Sequence, residues 1–237
     1  MKEITSTKNP LIKELLELKK SSIKKQKQMF LVDGEDFIFL AHEKKLLKMI
    51  LTLSYQEKYD DVEQIIVTKP ILDKLSSNVN SSSMIGVCSF FIQKEIIGNK
   101  LIYLDGVQDP GNVGTIIRTA LAFNYDGVIL SNDTASIYND KVISSTKGAL
   151  FKIPLYLDVN INELKDKYCL VATSLHNALN YKEFKNRDKF ILILGNEGQG
   201  VKKEIIEIAS YNVKIPMDNI DSLNVAIAGG ILMNEYR

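Results

Sequence analysis

The spacing of apolar and polar positions changes along this chain, and each change marks an element. Residues 8–20 put Leu11, Ile12, Leu15, Leu16 and Leu18 on a helical period, with Pro10 tolerated in the first turn. Residues 29–32 are a short apolar run ending at Asp33-Gly34, which predicts a strand, and a helix follows over 35–43. Two more strands are predicted at 47–53 and 65–68. Pro70 opens a short helix through Leu75, residues 76–83 (SSNVNSSS) are a polar loop, and 84–92 is the last strand of this half. Strands alternating with helices predict a small α/β unit.

The second half repeats the alternation with longer apolar runs. Residues 101–104 read as a buried strand, broken at a turn built from Asp105, Gly106, Asp109, Pro110 and Gly111. Ile116, Ile117, Ala120, Leu121 and Phe123 then fall at helical spacing. Strands follow at 127–131, 152–157 and 168–173, with a helix over 140–150 between the first two. Five apolar residues, 190–194, run into GNEGQG at 195–200, and a helix begins near Lys202. A final strand reaches Ile215, and a loop over 216–221 precedes a helix that Ser222 is placed to cap.

Composition adds bounds. A length of 237 residues fits one large or two small domains, and the charged and apolar fractions are those of a soluble globular protein. The net charge of +1 does not announce a nucleic-acid binder, yet residues 1–28 hold eight Lys against Glu3, Glu14 and Glu17. That local excess suits an anionic partner such as an RNA backbone, or simply a solvated helix face. Cys88 and Cys169 lack a CxxC or a nearby His pair and read as apolar thiols, so no metal site is expected. His42, on a charged helix, reads as solvated. No stretch reaches the length of a membrane span and no signal core opens the chain, which makes the cytoplasm the default location.

Candidate chemistry gathers in the second half. A strand, a Gly/Pro turn and a helix N-terminus form a standard place to hold a ligand. Asn112 and Arg118 lie in that turn and helix, and only three of the 30 basic residues are Arg. A planar guanidinium on an otherwise apolar helix is either needed there or solvated on its outer face. Thr173 and Ser174 end a strand, where open α/β sheets bind ligands and where helix caps also sit. GNEGQG is neither a dinucleotide fingerprint nor a phosphate loop, and Glu197 would repel phosphate. The glycines of the last helix, Gly229 and Gly230, destabilise it by about 1 kcal/mol each relative to Ala, which suggests that it needs a close approach to a neighbour or to a second copy of the chain.

Taken together, DPGNVGTIIRTA around Asn112 and Arg118, LGNEGQG at 194–200, and IPM at 215–217 with SLNVAIAGGI at 222–231 resemble the SpoU (TrmH) branch of the SPOUT superfamily, AdoMet-dependent RNA 2′-O-ribose methyltransferases. The resemblance covers about residues 98–237. ITSTKNPLIKEL and FLVDGED make the first half similar to that family's substrate-binding extension, a ribosomal L30e-type α/β domain, with Asp33 where a Glu is usual. The implied architecture is an RNA-binding domain over 1–93, a linker over 94–100 and a methyltransferase domain over 101–237. The last is an α/β knot, a mostly parallel sheet with helices on both faces and a deep trefoil knot.

The resemblance also implies roles. Gly195, Asn196, Gly200, Ile215, Met217 and Leu223 would hold S-adenosyl-L-methionine, with Thr173 and Leu175 lining the pocket. Asn112, Arg118, Glu197, Ser222 and Asn224 would surround the methyl donor and the target ribose, and the chain would act as a homodimer on rRNA or, as the weaker option, tRNA. A member that has lost catalysis and only binds RNA is the alternative. The family proposal makes the arginine the base. Guanidinium stays protonated in proteins, so Arg118 is expected to be an electrostatic clamp, with Glu197 or a water taking the proton.

Overall fold

The structure is a computed structural model and describes residues 2–77, 82–91, 93, 95–185 and 188–237. Parts of the predicted polar loop (78–81), the end of the strand drawn to Ile92, Lys94 of the linker, and Arg187 lie outside the described residues. The chain forms two compact units. One holds Met1–Phe91 with Tyr138–Ile143, and the other holds Ile92–Ile137 with Ser144–Arg237.

The first unit contains β1 (Lys2–Ile4), α1 (Pro10–Glu17), α2 (Ser21–Lys27), β2 (Met29–Asp33), α3 (Glu35–Glu43), β3 (Leu47–Thr52), β4 (Glu63–Val67), α4 (Lys69–Leu75) and β5 (Met84–Ser89). Its five strands lie in the order β1-β4-β3-β5-β2, with β1, β4 and β3 parallel and β5 antiparallel to both β3 and β2. Side chains alternate across the sheet. Ile85 and Val87 pack with Ile12 and Leu15 of α1 and Ile71 and Leu72 of α4. On the opposite face a Cβ on Gly86 would lie 2.9 to 3.0 Å from Val32, Leu47 and Ile38 of α3, so α3 packs directly on bare backbone there.

Two elements were invisible to apolar periodicity. The helix expected over 8–20 is α1, which ends at Glu17, and a second helix that was not expected, α2, follows it from Ser21. Strand β1 is only three residues long and pairs with β4 at the sheet edge. His42, expected to be solvated, is partly exposed; its ring contacts the exposed Asp61 at 2.8 Å and meets Tyr59 edge-on.

The second unit contains β6 (Lys100–Asp105), α5 (Pro110–Ala122), β7 (Gly127–Leu130), α6 (Asp140–Thr146), whose first turn belongs to the first unit, β8 (Leu155–Leu157), β9 (Cys169–Thr173), β10 (Leu179–Asn180), β11 (Phe190–Gly195), α7 (Lys203–Ile208), β12 (Tyr211–Lys214) and α8 (Val225–Glu235). Its seven strands lie in the order β10-β12-β9-β11-β6-β7-β8, and every neighbouring pair is parallel. Central strands β6 and β11 are buried on both faces, which is why they read as unbroken apolar runs. Helix α6 stops at Thr146, short of the expected residue 150, because Gly148 takes the left-handed conformation (φ 87°). Strand β8 begins only after Pro154, which cannot donate to a ladder.

Cys88 is buried and Cys169 half-buried, and neither is in a disulfide. Among the described residues no helix is long and apolar enough to cross a membrane, and no acidic, His or Cys cluster is spaced to hold a metal ion.

Candidate active site

The carboxyl ends of parallel strands β6, β9, β11 and β12 supply the site, as a parallel sheet dictates. Strand β11 ends at Gly195, where a Cβ would lie 2.2 Å from Gly200 C and Val201 N. The residue must therefore be glycine, since backbone cannot yield that much space. The loop it opens is closed by reciprocal backbone bonds between Asn196 and Gly200, 3.0 and 2.9 Å. Asn196 Oδ1 accepts from the amides of Gly198 (2.9 Å) and Gln199 (3.1 Å), and its Nδ2 donates to the Gly106 carbonyl at 2.8 Å. Asn196 thus builds the loop and ties it to the end of β6.

Glu197 faces the turn before α5. Its carboxylate accepts from the amides of Gln108 and Asp109, both 3.1 Å, and from Asn112 Nδ2 at 2.9 Å. Burial alone would push this carboxyl up, but the hydrogen bonds from Asn112, Gln108, its own amide and Asp109 together hold it below the usual carboxylate value. Asn112 Oδ1 in turn accepts from Asn224 Nδ2 at 3.0 Å. Asn224, Asn112 and Glu197 therefore form one hydrogen-bonded series across three motifs far apart in sequence.

Asn224 also corrects the expected cap. Its Oδ1 accepts from Ala226 N (2.9 Å) and Ile227 N (3.2 Å), so Asn224 is the N-cap of α8 and Ser222 lies in the loop before it. A two-residue shift results because the amide side chain reaches both free helix donors and Asn112 at once. Arg118 lies on the exposed side of α5 and forms no ion pair among the described residues.

A second polar cluster carried no sequence signal. Asp105, at the end of β6, is 1% exposed and accepts from Lys202 N at 2.8 Å. The Lys202 ammonium lies 2.7 Å from Asp133 and 3.5 Å from Asp105. The hydrogen bond to Asp133, followed by the charges of both carboxylates, holds that ammonium above its ordinary value against the opposing effect of burial. The cluster clamps the far end of the GNEGQG loop to β6 and to the segment after β7.

Between these loops lies a cavity of about 840 Å³, within the size range of ligand sites. Thr173, Leu175, Gly195, Asn196, Gly200, Ile215, Met217 and Leu223 all line it, as do Glu197 and Ser222. Asn112, Arg118 and Asn224 do not, and Asn112 and Asn224 are joined to it through Glu197. Leu194, Val201, Ile206, Val213 and Val225 supply apolar walls. The backbone of Ile215, Met217 and Leu223 lies outside every strand and helix, so no ladder claims its donors and acceptors.

The fit to AdoMet follows from these features. Apolar walls suit adenine, uncommitted backbone suits its edge and the ribose, and the bare Gly195 lets the ligand approach the strand end. No lysine or arginine cradle for phosphates lies in the 195–200 loop. The fold and site thus define an α/β protein that holds a nucleoside-type ligand at the carboxyl edge of a parallel sheet.

Comparison with known proteins narrows that class. The chain matches the SpoU rRNA Methylase family over residues 99–234 and belongs to that family. It is 32% identical to the 23S rRNA (guanosine(2553)-2′-O)-methyltransferase RlmP of Bacillus subtilis, with all of both chains covered. An uncharacterized tRNA/rRNA methyltransferase of Synechocystis is 30% identical over 99% of this chain and 93% of its own. Among solved structures, an AdoMet-bound rRNA methyltransferase from Sinorhizobium meliloti superposes with a TM-score of 0.91 at 26% identity, covering 100% of this chain and 97% of the other.

Proposed function

We propose that this protein transfers a methyl group from AdoMet to a ribose 2′-hydroxyl of structured RNA, with 23S rRNA as the substrate. The observation that carries the reading is the Asn224–Asn112–Glu197 series, which couples the turn before α5 to the loop that lines the cavity. Full-length similarity to the Bacillus enzyme supports the choice of rRNA over tRNA.

When bound, AdoMet supplies an electrophilic methyl on a sulfonium. Gly195, Gly200, Ile215, Met217 and Leu223 hold it through backbone groups and apolar contact, with Thr173 and Leu175 at the wall, while Asn196 keeps the loop shaped. Asn112, Asn224 and Ser222 align the ribose for in-line attack by its 2′-oxygen. Arg118 steadies the adjacent phosphate and the alkoxide that develops. Glu197 spends its oxygens on three N–H donors, and a carboxylate held at a depressed value is a poor base. It is therefore a positioning residue, and water takes the 2′-hydroxyl proton.

The C-terminal segment threads the deep trefoil knot of the family. The path of the chain supports this: β12 lies beyond β9, yet α8 returns to pack on α5 and β11. The protein acts as a homodimer through α8, whose outer side exposes Ile227 at 57%. Mapping of ribose methylation by mass spectrometry in RNA from cells with and without the gene tests the reading. Loss of one 2′-O-methyl from 23S rRNA is expected, and no loss anywhere sinks it. Calorimetry with AdoMet separates an enzyme, which binds it, from a member that only binds RNA.

A further inference from the structure

The first unit carries opposite charge on its two faces. Beneath one face of the sheet lie α1, α2 and α4, joined at its edge by β1. Lys24 is buried and paired with Asp140. Apart from it, these elements and their turns carry nine lysines against Glu3, Glu14, Glu17 and Asp73, a net charge of +5. Lys2, Lys8, Lys13, Lys25 and Lys74 are exposed and form no ion pair among the described residues. The pairs Lys20–Glu17 and Lys27–Glu14 lie on the surface, where they hold their charges only weakly. Among the described residues no large apolar side chain is exposed on this face.

The other face is the reverse. Helix α3 is crossed by the segment 53–62, held there by Lys58 on Glu35 and by Asp61 on His42. Residues 35–63 carry seven carboxylates against four lysines, a net charge of −3. Here Phe39, Tyr55 and Leu53 are exposed at 51%, 45% and 42%. Exposed aromatics would ordinarily suggest a platform for stacking unpaired bases. A carboxylate-rich surface repels the phosphates such a strand would bring with it, and repulsion acts over the whole length of the strand.

We infer that the α1–α2–α4 face docks the phosphate backbone of a paired RNA segment, and that the aromatic α3 face takes no RNA. Lysines without aromatic partners read charge and helical shape and cannot stack bases, and double-stranded RNA is recognised in that way. This docking contributes affinity and orientation with little sequence preference. It rests on the proposed RNA substrate and assigns it to one surface of the first unit.

The test uses the full chain and two probes, a generic 20-base-pair RNA duplex and an oligouridine of equal length. Fluorescence anisotropy is read from about 50 to 200 mM salt. The double variant Lys13→Glu/Lys25→Glu is expected to weaken duplex binding about tenfold or more. It should also reduce the slope of log affinity against log salt by nearly 2, since each lost phosphate contact removes about 0.9. Phe39→Ala/Tyr55→Ala is expected to stay within twofold of the parent, and the parent to prefer duplex over oligouridine. Unchanged duplex affinity in the lysine variant, or loss of binding in the aromatic variant, overturns the inference. AdoMet calorimetry on the same samples keeps the two failures apart: absence of AdoMet binding defeats the methyltransferase reading, whereas intact AdoMet binding with a silent lysine variant defeats only the docking face.

Discussion

At the scale of single residues the site depends on hydrogen bonds that stay inside the protein. Glu197 provides a pH test. Its folded value is depressed, so it binds a proton more readily in the unfolded chain. Its stabilisation is complete above the unfolded value of about 4.5 and is lost as pH falls through the folded value. Calorimetric Tm measured down to about pH 3 should therefore fall more steeply for the parent than for Glu197→Gln, with parallel curves from pH 7 to 5. A steeper curve for the variant would contradict the depressed value. Arg118→Lys addresses the other disputed role. A clamp that loses its planar fork should lose rate by about 10-fold or more, with the basic limb of the pH–rate profile unmoved. If Arg118 were the base, that limb would shift. The Gly195–Gly200 loop was easy to locate in the sequence because glycines directly after an apolar run leave a local signal. The Asp105–Lys202–Asp133 cluster was not: Lys202 is one lysine among many and meets a carboxylate 97 positions earlier.

At the scale of elements, loops were easier to locate than caps. The sequence placed a helix start near Ser222, and either Ser or Asn suits a cap. The choice goes to Asn224, whose Nδ2 also donates to Asn112, a tertiary partner far away in sequence. Denaturant unfolding should show Asn224→Ala destabilised by about 1 kcal/mol and Ser222→Ala by only a few tenths. Equal losses would mean that the cap is shared. Strand ends follow a stricter rule. At Gly195 an added methyl would meet backbone 2.2 Å away, so Gly195→Ala should displace the loop and weaken AdoMet binding by about 100-fold or more in calorimetry. Helix α8 contains the contrasting case. A Cβ on Gly229 would meet the flexible tip of Leu194, and one on Gly230 would meet only Thr119 at an ordinary 3.9 Å. Packing inside one chain thus explains the first glycine, while the second has space around it.

At the scale of the whole molecule that space bears on assembly. Helix α8 is apolar on every side, which marks a helix covered all round. One side packs on α5, and Val225, Ala228 and Leu232 line the cavity. The remaining side exposes Ile227 at 57%, beside half-buried Gly230 and Ile231. A second copy related by a two-fold axis would cover that side and use the room at Gly230. The symmetry would bury the Ile227 of both copies, at up to roughly 1.5–3 kcal/mol apiece. Alternating strands and helices made the α/β class readable from apolar runs, but no periodicity distinguishes a helix buried by its own chain from one buried by a copy. Ile227→Arg sets two like charges against each other across the axis and should shift the species in light scattering from about twice to once the chain mass of 26.7 kDa. Because α8 also lines the cavity, the monomer should bind AdoMet several-fold more weakly while its Tm becomes independent of protein concentration. A parent that already runs at the mass of one chain at micromolar concentration would remove the dimer, and the exposed side of α8 would then need another partner to cover it.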